Sequence, residues 1–215
     1  MIIVGLTGSI AMGKSTTATM LRRLGVPVHD ADTAVHQLMA PGGAAEGAVA
    51  AAFPEALRCG VADRQAIGDL AFANPERLVR LENILHPLVR AEEVGFLRRQ
   101  CRLGARLVVL EIPLLFETGI EGRLDAVIAV TAPPTVQRWR ILSRSGMNKA
   151  KLRAIAARQL PNSVKCRRAN YVVVSGPTRS YTFRTLSEVV RSLHKKKGGH
   201  WPPAGGVWRD APRIA

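Results

Sequence analysis

The sequence of 215 residues contains little cysteine, few aromatic side chains and no long apolar run. Its three cysteines are scattered and form no C-x-x-C pair, so neither a disulfide framework nor a zinc site is predicted, and a reducing cytoplasmic location is expected. Because no stretch of about 18 apolar residues occurs, we expect no membrane association. Aromatic residues make up 5% of the chain, too few to indicate a platform on which nucleic-acid bases stack.

Acidic residues are also scarce, with 16 Asp and Glu against 31 Lys and Arg, which gives a formal net charge of +15. Such a charge suggests a polyanionic partner, either a nucleic acid or a phosphorylated small molecule. The basic residues are spread along the chain rather than gathered in one stripe, and no nucleic-acid-binding motif is present. We therefore expect small phosphorylated substrates and no physiological nucleic-acid partner.

What the sequence does contain is a complete phosphate-binding motif at residues 8–15, here called the phosphate loop, which reads Gly-Ser-Ile-Ala-Met-Gly-Lys-Ser. Gly8 and Gly13 allow the backbone to turn sharply and to approach an anion closely. Lys14 is placed to neutralise the β- and γ-phosphates, and the Ser15 hydroxyl is a candidate Mg²⁺ ligand. ATP and Mg²⁺ are the expected cofactors, and the residues assigned to the nucleotide here are Gly8, Ala11, Met12, Gly13, Lys14, Ser15 and Thr16.

Short apolar segments predict five strands, at residues 2–6, 26–29, 107–111, 125–130 and 171–174. Since these strands alternate with helical patterns, we predict an α/β fold with a five-stranded parallel sheet flanked by helices. The mostly helical stretch at about 33–106 is too long for an ordinary crossover, which indicates a substrate-binding insertion. Residues 1–194 are predicted to form one domain, and residues 195–215 a disordered basic tail.

Polar side chains that follow the strands are candidates for phosphoryl transfer to an alcohol, because ligands of parallel sheets bind at the carboxyl ends of strands. Glu111 is one of them. Asp32 is a candidate to accept the hydroxyl proton or to hold a metal-bound water; alternatively, it caps a helix beginning near Thr33. Arg140 and Arg144 lie four residues apart on one helical face and can reach over the phosphates, or they form a solvated basic face.

These residues resemble the dephospho-coenzyme A kinase family over about residues 2–193. The resemblance rests on residues 5–16, Asp30-Ala31-Asp32, Leu85-His86-Pro87, Pro113-Leu114-Leu115-Phe116-Glu117, Gln137-x-x-Arg140 and Arg158-Gln159. The phosphate loop alone is generic, whereas its combination with the Asp-Ala-Asp, Leu-His-Pro and Pro-Leu-Leu-Phe-Glu segments is specific. The resemblance implies a P-loop kinase fold with a small helical lid at about 140–168. It also implies ATP-dependent phosphorylation of the ribose 3′-hydroxyl of dephospho-coenzyme A, the last step of coenzyme A synthesis.

The resemblance further implies roles for individual residues. Asp32 would be the catalytic carboxylate, and Arg140 would steady the transferring phosphoryl group. Thr7 would lie beside the reacting phosphate, and His86 and Arg158 would contact the acceptor. His86 has an alternative interpretation, because it precedes Pro87 and could satisfy a broken helical turn. The expected partners are ATP and dephospho-coenzyme A, and a monomer is favoured.

The sequence departs from the family at Ser9 and Ala11, where members commonly carry Gly, and at Ala169-Asn170, where Ala-Asp is common. Three alternatives are less well supported by the residues. A nucleoside monophosphate or shikimate-type kinase would lack the Leu-His-Pro and Pro-Leu-Leu-Phe-Glu segments. A regulatory GTPase would need Asn-Lys-x-Asp, whereas residues 148–151 end in lysine. A basic nucleic-acid-binding protein with a phosphate loop is the third.

Overall fold

The computed structural model describes residues 1–58, 61–143, 157, 159–176 and 178–202. The chain forms two compact units. The core unit consists of Met1–His29 together with the residues from Arg99 onward, and the inserted unit consists of Asp30–Arg98. The described regular elements are, in chain order, β1 (Ile2–Thr7), α1 (Lys14–Arg23), β2 (Val28–Asp30), α2 (Ala31–Leu38), α3 (Glu46–Ala52), β3 (Leu57–Arg58), β4 (Val61–Ala62), α4 (Arg64–Ala73), α5 (Pro75–Arg102), β5 (Leu107–Glu111), β6 (Ala126–Thr131), α6 (Pro134–Leu142), α7 (Asn162–Arg168), β7 (Tyr171–Val174) and α8 (Arg179–Leu193).

The core unit is built on a five-stranded parallel sheet of order β2–β5–β1–β6–β7. In the central ladders Val4 lies opposite both Val109 of β5 and Ala126 of β6. All six residues of β1 are buried, as expected for a central parallel strand covered on both faces. The predicted α/β class and the five-stranded parallel sheet are therefore confirmed. β2 begins at Val28 rather than at the predicted residue 26. Pro27 has no N–H to donate, but its carbonyl accepts a hydrogen bond from Val109 N.

A hydrophobic cluster packs α1 and α8 against the sheet. Ala18 and Leu21 of α1 and Leu186, Val190 and Leu193 of α8 are buried in it together with alternate apolar side chains of the strands. Their spacing of three or four residues puts each set on a single helical face. Because α1 is held in this way, the phosphate loop joins two elements that are fixed by the core.

The inserted unit is mainly helical, with its own buried cluster around Val49, Phe53 and Ile67. It also contains the two-stranded antiparallel ladder β3–β4, which was not predicted. α5 continues through Pro87, so this proline does not end the helix. Of the lid expected at about 140–168, residues 144–156 and 158 lie outside the described residues, and the lid stays a prediction.

The first residues of the predicted tail make specific contacts with the core unit. Gly199 N donates to Asp125 Oδ1 at 2.6 Å, and the His200 ring nitrogen Nδ1 lies 3.0 Å from the same oxygen. Asp125 Oδ2 accepts from Ile3 N at 2.7 Å. Burial raises the pKa of Asp125, but the hydrogen bonds from Gly199, Ile3 and His200 outweigh it, so this pKa lies below its ordinary value. The disorder predicted from residue 195 onward therefore does not extend to residues 199 and 200. Residues 203–215 lie outside the described part.

Among the helices that the structure describes, none is both long enough and apolar enough to span a membrane.

Candidate active site

The phosphate loop connects β1 to α1, as the motif requires. Gly13 precedes the first turn of α1 with φ of 89°, a left-handed conformation that favours glycine. A Cβ at Gly13 would also collide with Ser175 Oγ, and a Cβ at Gly8 would lie 2.7 Å from the carbonyl oxygen of Val130. Since Gly13 has no side chain that could cap α1, the first N–H groups of this helix are left for an anion.

Ala11 has φ of +60°, in the left-handed region that residues with a Cβ rarely adopt. This is one of the two positions in the loop where glycine was expected from the family pattern. The Ala11 side chain is buried, so its methyl group contributes packing that glycine would not. The conformation that glycine adopts easily is therefore retained here with alanine.

Lys14 forms an ion pair with Glu111, with 2.7 Å between Nζ and Oε1. Glu111 ends β5 and lies opposite Leu6 in the sheet, so its carboxylate lies at the same edge as the phosphate loop. Only 2% of the Glu111 side chain is exposed, and its Oε2 has no hydrogen-bond partner within the described part of the chain. Lys14, the cation assigned to the β- and γ-phosphates, is thus paired with the buried carboxylate of Glu111.

α6 is attached to the phosphate loop by two side chains. Arg140 Nη1 donates to the Ala11 carbonyl at 3.3 Å and to Ser175 Oγ at 2.9 Å, and Ser175 Oγ in turn donates to the Met12 carbonyl. Gln137 Nε2 donates to the Ile10 carbonyl at 3.0 Å. Arg140 therefore contacts the loop rather than belonging only to a solvated face. Arg144 lies outside the described residues.

Thr7 is fully buried at the end of β1, and its Oγ1 donates to the Pro113 carbonyl at 3.2 Å. Gln159, of the predicted Arg-Gln pair, accepts from Ile10 N at 3.0 Å, whereas Arg158 lies outside the described residues. Lys165 is a polar residue near this site that the sequence did not single out. In the sequence Lys165 is one of several cations in a basic segment, but in the structure it is completely buried.

Asp32 and His86, which the resemblance assigns to the acceptor, belong to the inserted unit. Asp30, not Asp32, is the N-cap of α2, because its Oδ1 accepts from Thr33 N at 3.1 Å. The alternative that Asp32 caps this helix is therefore wrong. Asp32 lies exposed in the first turn of α2, where the helix dipole favours a negative charge. His86 is exposed on α5.

Within the described ranges no group of three or more His, Cys, Asp or Glu side chains could hold a metal ion. The donors near the loop are the exposed Ser15 and the unpartnered buried oxygen of Glu111. Hydroxyl and carboxylate oxygens are hard ligands that suit Mg²⁺, which keeps several waters and binds nucleotide phosphates. The residues therefore fit a Mg²⁺ ion that arrives with a nucleotide.

The parallel sheet, the phosphate loop at the carboxyl end of β1, Lys14 and the arginine that contacts the loop define a P-loop kinase. The family model of dephospho-CoA kinase matches residues 2–178. The chain belongs to the dephospho-CoA kinase family. The alternatives weighed from the sequence, another small-molecule kinase or a nucleic-acid-binding protein, are not favoured.

Relatives and solved structures agree with this assignment. The dephospho-CoA kinase of Paramagnetospirillum magneticum is 57% identical over 163 residues, which cover 76% of this chain and 77% of that protein. The dephospho-CoA kinase of Mesorhizobium japonicum is 46% identical over 198 residues, 92% of this chain and all of that protein (100%). The crystal structure of TT1252 from Thermus thermophilus has a TM-score of 0.77 and 38% identity, covering 89% of this chain and 96% of that one. The dephospho-CoA kinase from Campylobacter jejuni has a TM-score of 0.64 and 25% identity, covering 90% and 97%.

Proposed function

We propose that this protein transfers the γ-phosphoryl group of ATP to the ribose 3′-hydroxyl of dephospho-CoA, which gives CoA and ADP. The observation that carries this proposal is the family match over residues 2–178, together with the intact phosphate loop. In the reaction the 3′-oxygen forms a bond to the γ-phosphorus as the bond between that phosphorus and the β,γ-bridging oxygen breaks. The hydroxyl proton passes to a carboxylate, for which we propose Asp32.

The phosphate loop is proposed to bind the triphosphate. The N–H groups at the start of α1 donate to phosphate oxygens, and Lys14 leaves Glu111 to neutralise the β- and γ-phosphates. We propose that Ser15 holds a Mg²⁺ ion, which when bound neutralises charge on the same phosphates. Arg140 already contacts the loop backbone, which supports its proposed role beside the transferring group. Arg144 is proposed to act next to it.

The acceptor is proposed to bind through the inserted unit. Asp32 is available for the acceptor hydroxyl because Asp30, two residues earlier, caps α2 in its place. His86 and Arg158 are proposed to contact dephospho-CoA, and Thr7 to lie beside the reacting phosphate. A monomer remains our expectation, which sedimentation of the purified protein would test.

The experiment is a coupled assay of ADP release with Mg-ATP and dephospho-CoA, run in parallel with AMP, CMP and shikimate. We expect turnover with dephospho-CoA alone, and a product that tandem mass spectrometry identifies as CoA. Omission of Mg²⁺ in the presence of EDTA should abolish turnover. Faster phosphorylation of AMP, CMP or shikimate, or no turnover of dephospho-CoA despite ATP binding, would contradict the proposal.

A further inference from the structure

Lys165 is completely buried, which is unusual for a lysine unless it is paired. It lies in α7, where its neighbour Arg167 is exposed. Its Nζ is 2.8 Å from Glu117 Oε1 and donates to the Pro113 carbonyl at 2.9 Å. A buried ion pair often stabilises a protein no more than a well-packed apolar pair would, so stability is a weak explanation for it.

Glu117 and Lys165 join two separate segments. Glu117 Oε1 also accepts from Leu160 N at 2.7 Å, so one carboxylate oxygen holds both ends of the segment 160–165. The Arg168 guanidinium lies 4.6 Å from the centre of the Phe116 ring, a favourable cation–π contact in the same interface. The loop that follows β5, residues 112–117, is therefore fixed against α7 at several points.

The Pro113 carbonyl is shared between Lys165 and Thr7, whose Oγ1 is 3.2 Å from it. Thr7 is the last residue of β1 and directly precedes Gly8 of the phosphate loop. The same carbonyl oxygen thus accepts hydrogen bonds from both the Lys165 ammonium and the Thr7 hydroxyl. A shift of Pro113 would change the orientation of the hydroxyl that we propose lies beside the reacting phosphate.

We propose that Lys165 is a positioning residue for phosphoryl transfer: its ion pair with Glu117 fixes the Pro113 carbonyl and, through it, the Thr7 hydroxyl. This inference rests on the proposed function. Small misplacements in a reacting geometry reduce rates by up to about 100-fold. Loss of the Lys165 ammonium should therefore lower kcat by about 10- to 100-fold. The KM for ATP should change little, because Lys14 and the loop N–H groups are untouched.

The test separates a positioning role from a stabilising role by replacing both members of the ion pair with uncharged residues. K165M alone leaves the Glu117 carboxylate buried without its cation, and we expect a lower melting temperature as well as a lower kcat. In K165M/E117Q the buried charge is gone, while the glutamine oxygen can still accept from Leu160 N. We expect the melting temperature of this double variant to recover towards that of the wild type while kcat stays reduced. R167M, which removes an exposed cation of the same helix, is the matched control and should leave both values unchanged.

A second measurement tests whether Lys165 acts through Thr7. T7A is combined with the K165M/E117Q pair, and kcat is measured for each single and combined variant. If Lys165 positions Thr7, the two losses overlap, and the combined variant is little slower than the slower of the two parents. If kcat of the combined variant falls by the product of the two separate fold-losses, the inference is overturned. A kcat of K165M/E117Q that recovers together with its melting temperature would also overturn it. Wild-type protein without turnover of dephospho-CoA would instead contradict the proposed function itself.

Discussion

The contacts of Asp125 predict that D125N destabilises the protein without affecting catalysis. The carboxylate accepts from Ile3 N at 2.7 Å and from Gly199 N at 2.6 Å, one bond to each oxygen. Asparagine has only one acceptor oxygen, so one of the two N–H groups must face an amide NH₂ group. Ile3 is fully buried, and asparagine is therefore expected to keep the bond to Ile3 and to lose the one to Gly199. The lost bond to Gly199 is largely offset by the freedom that residues 198–200 regain. Replacing the charged acceptor of the Ile3 N–H by a neutral one lowers the free energy of unfolding by about 1–2 kcal/mol.

Truncation after residue 197 is the matched comparison, because it removes Gly199 and His200 but keeps the bond between Asp125 and Ile3. The two lost hydrogen bonds to a charged group are each worth about 1.5–3 kcal/mol. Ordering residues 198–200 costs about 1–2 kcal/mol each, which offsets nearly all of this gain. We therefore expect the truncated protein to be within about 1 kcal/mol of the full chain, whereas D125N is less stable than both.

Thermal unfolding and steady-state kinetics measure these changes. For a chain of this size about 1 kcal/mol corresponds to about 2–4 °C in Tm, so D125N should melt roughly 2–8 °C lower. Its kcat should be unchanged, because Asp125 precedes β6 while the phosphate loop follows β1, at the opposite ends of parallel strands. A D125N variant with the Tm of the wild type would refute the reasoning. A truncated protein as unstable as D125N would mean that Gly199 and His200 carry the stabilisation.

The pH dependence gives an independent check. The pKa of Asp125 in the folded protein lies below its ordinary value of about 3.9, so the unfolded chain binds this proton more readily. The stabilisation is therefore fully present above about pH 4 and is lost as the pH falls through the folded pKa. We expect the difference in Tm between wild type and D125N to shrink as the pH falls below about pH 4. A difference that persists in acid would show that the charge of Asp125 is not its cause.

Three further substitutions test the proposed site. K14A should reduce kcat by at least about 100-fold, because a lost electrostatic contact to the transferring phosphoryl group is commonly worth that much; near-normal turnover would contradict the role of Lys14. D32N should lower kcat far more than ATP affinity, measured by titration calorimetry, and an unchanged kcat would exclude Asp32 as the base. G13A should lower Tm by several degrees and weaken ATP binding. Its left-handed φ costs about 1–2 kcal/mol, and S175A, which removes the colliding Oγ, should restore only part of the loss.

The sequence predicted those features that depend on local patterns. β1, the phosphate loop and α1 were predicted because glycine spacing, an apolar strand and a helical face coincide within the first 25 residues. β3 and β4 were missed because two-residue strands carry too little alternation to be recognised. The order of the strands was not predicted, since it depends on how distant segments pack.

The polar contacts were harder to predict. Asp30 and Asp32 are both plausible caps, and only the observed bond to Thr33 N identifies Asp30. Lys165 was missed because lysine in a basic helix is usually solvated, and its partners in the loop after β5 lie about 50 positions earlier in the chain. The composition of the segment from residue 195 suggests disorder. Composition alone does not show that the backbone N–H of Gly199 donates to the carboxylate of Asp125.

The pairing of Lys14 with Glu111 has a consequence for which anions can occupy the phosphate loop. A ligand that takes over the lysine leaves behind a carboxylate of which only 2% is exposed, and that carboxylate then needs another cation or a proton. Occupation of the loop is therefore an exchange of counter-ions rather than a simple addition. A nucleoside triphosphate that arrives with a divalent cation would supply a positive charge near this carboxylate, whereas a free phosphate or sulfate would not.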